Sequence, residues 1–217
     1  MSDVESSEYS LSKMRSVYNE NAMEYAQSTH DLSYFPGLSD EISRFYTQSL
    51  KSHPVLDLGC GTGRDCMFLR GEGATVVAAD LSEALLYLAR QRCSAQPALG
   101  YTQLTMTRLP FAANSFGGVW ACASMLHTPI SMLPQAISEV ARVLAPGGIV
   151  AISMKAGSGE GWFAGTTFLT PRWFTLIQPP ELEKMLGEAG LERTLSIPSG
   201  RKNWFVTEAF KAPESAP

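Results

Sequence analysis

Apolar residues recur at helical spacing in Met14, Val17, Tyr18, Ala22 and Tyr25, and again in Ile42, Phe45, Tyr46 and Leu50. Two amphipathic helices are therefore predicted at the start of the chain, joined by a loop over residues 30–37. The pattern then changes to short continuous apolar runs. Residues 54–58 read as a buried strand that runs into Gly59-Cys60-Gly61-Thr62-Gly63, and a helix follows over 64–72. A second strand is predicted at 75–79, and Ser82 is placed to cap a helix carrying Leu85, Leu86, Leu88 and Ala89. Further strands fall at 99–104, 118–123 and 149–154. Leu133, Ile137, Val140, Ala141 and Leu144 mark the helix before the last of these, stopped by Pro146-Gly147-Gly148.

Strands alternating with helices in this way predict an α/β fold, with a parallel sheet covered by helices on both faces. After Lys155 the rhythm changes to a loop rich in glycine and aromatic residues, then a helix over 180–189 stopped by Gly190. Two strand-like runs, 192–197 and 203–210, lie close enough for an antiparallel hairpin turned at Pro198, Ser199 and Gly200. One domain is expected over 1–210, with 1–52 as a helical cap and 155–178 as an insert; 211–217 reads as a loose, flexible tail.

Composition narrows the function. The 217 residues are 45% hydrophobic, which excludes a disordered or fibrous chain, and a net charge of −4 argues against extended nucleic-acid contacts. Only 18% of the residues are charged, so part of the surface is expected to cover a ligand or a second subunit, and the chain reads as a monomer or homodimer. Cys60, Cys66, Cys93 and Cys122 form no CxxC pair; they read as reduced thiols of a cytoplasmic protein, with no metal site. The first ten residues fit no secretory or transit signal. Residues 109–138 lack Lys, Arg, Asp and Glu, but prolines and glycines interrupt them too often for a membrane helix, so no membrane partner is expected.

A strand, then Gly59-x-Gly61-x-Gly63, then a helix lets backbone approach a nucleotide-like ligand closely. The dinucleotide fingerprint needs a glycine where this chain has Arg64, and the Gly-Lys-Ser/Thr of a phosphate loop is absent, so a ligand without pyrophosphate fits better. Asp57 precedes the glycines, and Asp80 ends the second strand, where a carboxylate can accept from both hydroxyls of a ribose.

At these residues the chain resembles the class I S-adenosylmethionine-dependent methyltransferases, in their small-molecule, type 11-like branch. The resemblance rests on Val55-Leu56-Asp57-Leu58-Gly59-Cys60-Gly61-Thr62-Gly63-Arg64-Asp65, Asp80-Leu81-Ser82, Leu109-Pro110-Phe111, Ser115-Phe116, Leu126-His127 and Arg142-Val143-Leu144-Ala145-Pro146-Gly147-Gly148. It covers residues 18–154, and implies a Rossmann-like, seven-stranded, mostly parallel sheet with a C-terminal antiparallel hairpin. It also implies S-adenosylmethionine as cofactor and S-adenosylhomocysteine as product. The cofactor site would comprise Asp57, Gly59, Cys60, Gly61, Gly63, Arg64, Asp80, Leu81, Ser82, Thr105, Met106 and Ala123. Within it, Asp57 would assist the ammonium, Asp80 hold the ribose and Leu81 pack on the adenine. Two positions depart from the family pattern: Thr105 stands where an Asp usually accepts from the adenine amino group, and Gly117 stands where Asp is common after Phe116.

Methyl transfer needs an acceptor held in line behind the methyl group, and only a poorly acidic acceptor needs a base. His127, just beyond the fourth strand, is the candidate base, the alternative being that it only walls the cofactor pocket. Tyr18 and Tyr25 share a helical face and are candidate lid and substrate residues, or else plain packing. Trp162, Phe163, Phe168, Trp173 and Phe174, with Arg172 and Glu160, would wall an acceptor pocket or pack a dimer. Trp162, Phe163, Arg172 and Trp173 are taken as the substrate side. The expected reaction is methylation of O, N or S of a small aromatic or heterocyclic metabolite. The alternatives are a wobble-uridine-type tRNA methyltransferase, suggested by Lys202-Asn203-Trp204-Phe205-Val206, and a non-catalytic cofactor-binding protein.

Overall fold

The structure is a computed structural model that describes residues 9–95, 98–164 and 169–214. It opens with α1 (Leu11–Glu20) and α2 (Ala22–Thr29), where the sequence pattern suggested one helix. Asn21 divides them: its side-chain amide donates to the Val17 carbonyl at 2.7 Å, competing with continuation of the helical ladder. After a short 3₁₀ turn, α3 (Leu38–Gln48) buries Leu38, Ile42 and Phe45 completely.

The alternating unit follows as β1 (Val55–Leu58), α4 (Arg64–Gly71), β2 (Val76–Asp80), α5 (Glu83–Arg92), β3 (Gly100–Gln103) and β4 (Phe116–Cys122). A 3₁₀ turn at Met125–His127 leads to α6 (Leu133–Val143) and β5 (Leu144–Lys155). Then come β6 (Gly159–Phe163), β7 (Arg172–Leu176), α7 (Pro179–Glu188), β8 (Leu191–Pro198) and β9 (Trp204–Lys211). Seven strands form one sheet in the order β3-β2-β1-β4-β5-β9-β8. The first five run parallel, while β9 pairs antiparallel with both β5 and β8, as the sequence predicts.

Side chains alternate across each strand and feed two cores. Leu56, Leu58, Val119 and Ile152 pack with α6 and α7 residues on one face, and Val55, Val76, Trp120 and Ile149 pack with α3, α4 and α5 residues on the other. Each such buried aliphatic side chain contributes about 1.5–3 kcal/mol, so the sheet is a rigid platform for whatever hangs over its carboxyl edge. Gly117 is explained here: a Cβ at this position would lie 2.3 Å from the Leu50 carbonyl oxygen, so the segment after α3 excludes the Asp common in the family.

Three expectations change. The aromatic loop after Lys155 is a two-stranded hairpin, β6 paired antiparallel with β7, and Phe168 lies outside the described residues. Lys211, expected at the start of the tail, closes β9 instead, and its ammonium donates to Asn114 Oδ1 and to the carbonyls of Ala141 and Leu144; residues 215–217 lie outside the described residues. The segment Pro146-Gly147-Gly148 lies within the irregular start of β5 rather than in a loop before it. Among the described residues, no helix is long and apolar enough to cross a membrane.

Candidate active site

The glycine segment turns sharply off β1, and the N–H groups of Gly59 and Cys60 both donate to the Ala79 carbonyl, at 2.7 and 2.9 Å. Gly59, with φ of +83°, has no room for a side chain: a Cβ would lie 2.2 Å from Ser124 Cβ, whose hydroxyl donates to the Leu58 carbonyl at 2.7 Å. A Cβ on Gly61 would meet the Tyr25 ring at 3.2 Å, and one on Gly63 would meet Ala89 at 3.1 Å. The sequence reading assigned this need for glycine to a ligand; protein neighbours already impose it.

Asp80 ends β2 and orders the turn. One carboxylate oxygen accepts from Gly61 N at 2.8 Å and the other from Ser82 N at 2.9 Å, which leaves lone pairs on both for a ligand. Burial raises its pKa above the ordinary carboxylate range. Ser82 is fully buried and contacts protein: it caps α5 through Leu85 N and donates to Asn19 Oδ1, tying α1 to the start of α5. Asp57 is 2% exposed, and its Oδ2 is buried with no hydrogen-bond partner among the described residues. Burial, then the nearby Asp65 charge, pushes its pKa well up.

Two cavities open over this edge of the sheet. A narrow slot of about 90 Å³ is lined by Gly61, Asp80, Leu81, Leu104, Thr105 and Met106, among others. A larger cavity of about 480 Å³ is lined by Cys60, Thr62, Arg64, Phe163, Arg172, Phe174 and Trp204, with Lys155, Arg201 and Lys202 at its rim. Tyr18, Tyr25, Gly59, Ala123 and His127 line both, so these five residues mark where slot and cavity meet. Ala123 holds a left-handed φ of +51° there, a strained conformation for a residue with a Cβ.

His127 is fixed from both sides. Its Nδ1 lies 2.6 Å from the Trp173 carbonyl, which can only accept, so Nδ1 carries the proton and Nε2 accepts from the Tyr18 hydroxyl at 2.7 Å. Burial lowers its pKa to about 4, so the ring is neutral near pH 7. Arg172 Nη1 lies 3.4 Å from the same Tyr18 oxygen, and burial raises the phenol pKa of both Tyr18 and Tyr25. The two tyrosine rings meet edge to face at 5.6 Å.

The hairpin sorts its residues by strand alternation. Arg172, Phe174 and Leu176 line the large cavity, as does Phe163, which pairs with Arg172 across the hairpin. Trp173 and Trp162 pair on the opposite face, with ring centroids 5.9 Å apart, and neither is among the described residues that line these two cavities. Both were expected on the substrate side; the Trp173 backbone carbonyl accepts from His127 Nδ1, while its ring packs on Tyr9. Glu160 is likewise structural, accepting from Ile130 N and Thr175 Oγ1. Asp57, Gly63 and Ser82, also expected in the cofactor site, line neither of these two cavities. Lys155 and Arg201 escaped the sequence reading, and Lys202 and Trp204 entered it only in the segment that suggested a tRNA methyltransferase. Only the β5–β9 register, which sets Lys155 opposite Trp204, brings them to this edge.

The donor set fits S-adenosylmethionine. Asp80 keeps free acceptors for a ribose, Leu81, Thr105 and Met106 offer an adenine wall, and the orphaned Asp57 oxygen beneath the loop suits an ammonium group, reached through the loop or a water. Residues 55–148 match the family described as "Methyltransferase domain". A methyltransferase named GfsG from Streptomyces halstedii is 40% identical over 105 residues, covering 46% of this chain and 37% of that protein. A malonyl-[acyl-carrier protein] O-methyltransferase from Enterobacter lignolyticus is 29% identical over 159 residues, covering 73% of this chain and 58% of that protein. The chain thus spans about half the length, or less, of these two relatives. Among solved structures, the 1,6-didemethyltoxoflavin-N1-methyltransferase of Burkholderia thailandensis has the same fold, with a TM-score of 0.69 at 19% identity over 96% of this chain and 93% of that one. With the motifs, the sheet order and the matched domain in agreement, residues 55–148 match a methyltransferase domain and the chain is similar to class I S-adenosylmethionine-dependent methyltransferases.

Proposed function

We propose that the protein transfers a methyl group from S-adenosylmethionine to O, N or S of a small aromatic or heterocyclic metabolite by in-line displacement. One observation carries the reading: the slot beside Asp80 opens into the aromatic-walled cavity at Tyr18, Ala123 and His127. Bound cofactor supplies a methyl group on a sulfonium, which passes to the acceptor lone pair while the C–S electron pair stays on sulfur. Asp80 would accept from the ribose, Leu81 and Met106 would flank the adenine, and the Thr105 hydroxyl would take the place of the family's Asp. Arg64 lines the larger cavity beside Cys60, on the side of the glycine loop away from Asp80.

The protein's part is mainly positioning, which in favourable cases supplies roughly 7–11 kcal/mol. Phe163, Phe174 and Trp204 offer flat apolar walls for the acceptor. Tyr18 and His127 form a proton relay: Tyr18 accepts the acceptor's proton as its own passes to Nε2, and the Trp173 carbonyl holds the resulting imidazolium at Nδ1. A base with a pKa of about 4 is weak, so the relay suits an acceptor that becomes strongly acidic as it is methylated. Four free thiols suit a reducing cytoplasm. The test is to incubate the protein with S-adenosylmethionine and a panel of phenols, aromatic thiols and ring-nitrogen compounds, and to follow product mass by mass spectrometry. Methylated product that depends on the protein is expected; S-adenosylmethionine binding without turnover of any member favours the non-catalytic alternative.

A further inference from the structure

Among the described residues, cationic side chains outnumber carboxylates on the lining of the large cavity. Five cationic side chains, Arg64, Lys155, Arg172, Arg201 and Lys202, line it against a single carboxylate, Asp65. That carboxylate is already engaged, by Arg64 Nε at 2.7 Å on one oxygen and Trp120 Nε1 at 2.9 Å on the other. Just outside the wall, Glu41 is taken by Arg201 at 3.3 Å. Neither Lys155 nor Lys202 has an ion pair among the described residues.

The remaining titratable groups of the lining supply no anion. His127 is neutral, and burial pushes the Cys122 thiol up to about 12 and lifts both tyrosine phenols. Lys155 is half-buried at the end of β5, opposite Trp204, and both residues line the cavity. The cofactor would bring a further positive charge, its sulfonium, to the same space. A neutral acceptor leaves the two lysines without an anion among the described residues, whereas an anionic one offsets them and is drawn in by the field of the cavity.

We propose that the acceptor carries an oxyanion group, a carboxylate, phosphate or sulfonate, held by Lys155 and Lys202 while its ring lies against Phe174 and Trp204. This specificity rests on the methyltransferase reading above and deepens it: Lys155 and Lys202 select the acceptor and take no part in cofactor binding.

Two fluorophores with a common skeleton test this directly. The protein, saturated with S-adenosylhomocysteine, is titrated with 8-anilinonaphthalene-1-sulfonate and with the uncharged N-phenyl-1-naphthylamine. The titrations are repeated on a Lys155→Gln, Lys202→Gln double variant. We expect the sulfonate to bind at least about tenfold more tightly than its neutral partner, the size of one charge-assisted hydrogen bond, and the double variant to lose that preference while still binding the neutral probe. Equal affinities, no sulfonate binding, or a preference that survives both substitutions would each overturn the proposal. Calorimetry of S-adenosylhomocysteine on the same samples reports whether the variant is folded; wild-type protein that fails to bind it fails the methyltransferase reading itself, whatever the fluorophores do.

Discussion

The Tyr18 hydroxyl donates to His127 Nε2 at 2.7 Å, while the opposite ring nitrogen donates to the Trp173 carbonyl at 2.6 Å. One imidazole thus ties α1 to β7 across the junction of slot and cavity, and its tautomer follows from the carbonyl alone. Nitrogen NMR should find the neutral Nδ1–H form at pH 7, titrating near pH 4. Because the folded pKa lies below the unfolded value near 6.5, this group's contribution to stability is complete above pH 6.5 and is lost as pH falls through about 4. The effect is on the order of 3 kcal/mol, and His127→Gln should remove it from the acid limb of the stability curve. A ring titrating near 6.5 would refute this environment.

Catalysis by the pair has its own signature. Tyr18→Phe and His127→Asn should each lower turnover by about 10²-fold, the lower end of what positioned proton transfer contributes, and should leave the S-adenosylhomocysteine affinity within about a factor of ten. Unchanged turnover in both variants would reduce the pair to a structural clasp.

Asp80 and Asp57 make separable contributions to cofactor binding. Asp80→Ala removes the acceptors for a ribose and the bonds from Gly61 and Ser82, and should weaken S-adenosylmethionine binding at least about tenfold without unfolding the domain. Unchanged affinity by calorimetry would show that the ribose is held elsewhere. Asp57 has a raised pKa when buried alone, so its folded-state contribution is present at low pH and lost as pH rises through that value. An ammonium group nearby should ionise it, so binding should release a proton and tighten with rising pH. Calorimetry in buffers of different ionisation enthalpy reads that proton, and Asp57→Asn should abolish its release.

Gly59→Ala should destabilise the fold by about 1–3 kcal/mol through overpacking, with a further cost of about 1 kcal/mol for the positive φ. Ser124→Gly in the same chain should recover part of the steric loss, which thermal unfolding would show. A Gly59→Ala protein as stable as the parent would mean that the turn yields more easily than its 2.2 Å contact implies.

The parallel sheet and its cofactor edge were legible because they are written locally: an apolar run, a glycine turn and an acid at a strand end lie within a few residues of one another. Asn21 was not legible as a break, since its side chain competes with the helix from a position whose neighbours keep helical spacing. Phe174 and Trp173 exchanged roles for a related reason. The sequence showed an aromatic segment, but only the hairpin register with Trp162 and Phe163 decides which alternate residues face the cavity. The cations at the rim were the least legible, because Lys155 and Lys202 are distant in sequence and meet only through the antiparallel return of β9 beside β5. Even the glycines, read as a ligand site, owed part of their necessity to Ser124 and Tyr25.

The central claim is that Asp57, the glycine turn and Asp80 form a site for a sulfur nucleoside. Calorimetry of the purified protein with S-adenosylmethionine, S-adenosylhomocysteine and NADH, side by side, addresses it most directly. We expect both sulfur nucleosides to bind at micromolar or better affinity and NADH not to compete; no binding of either, or a preference for NADH, would contradict it.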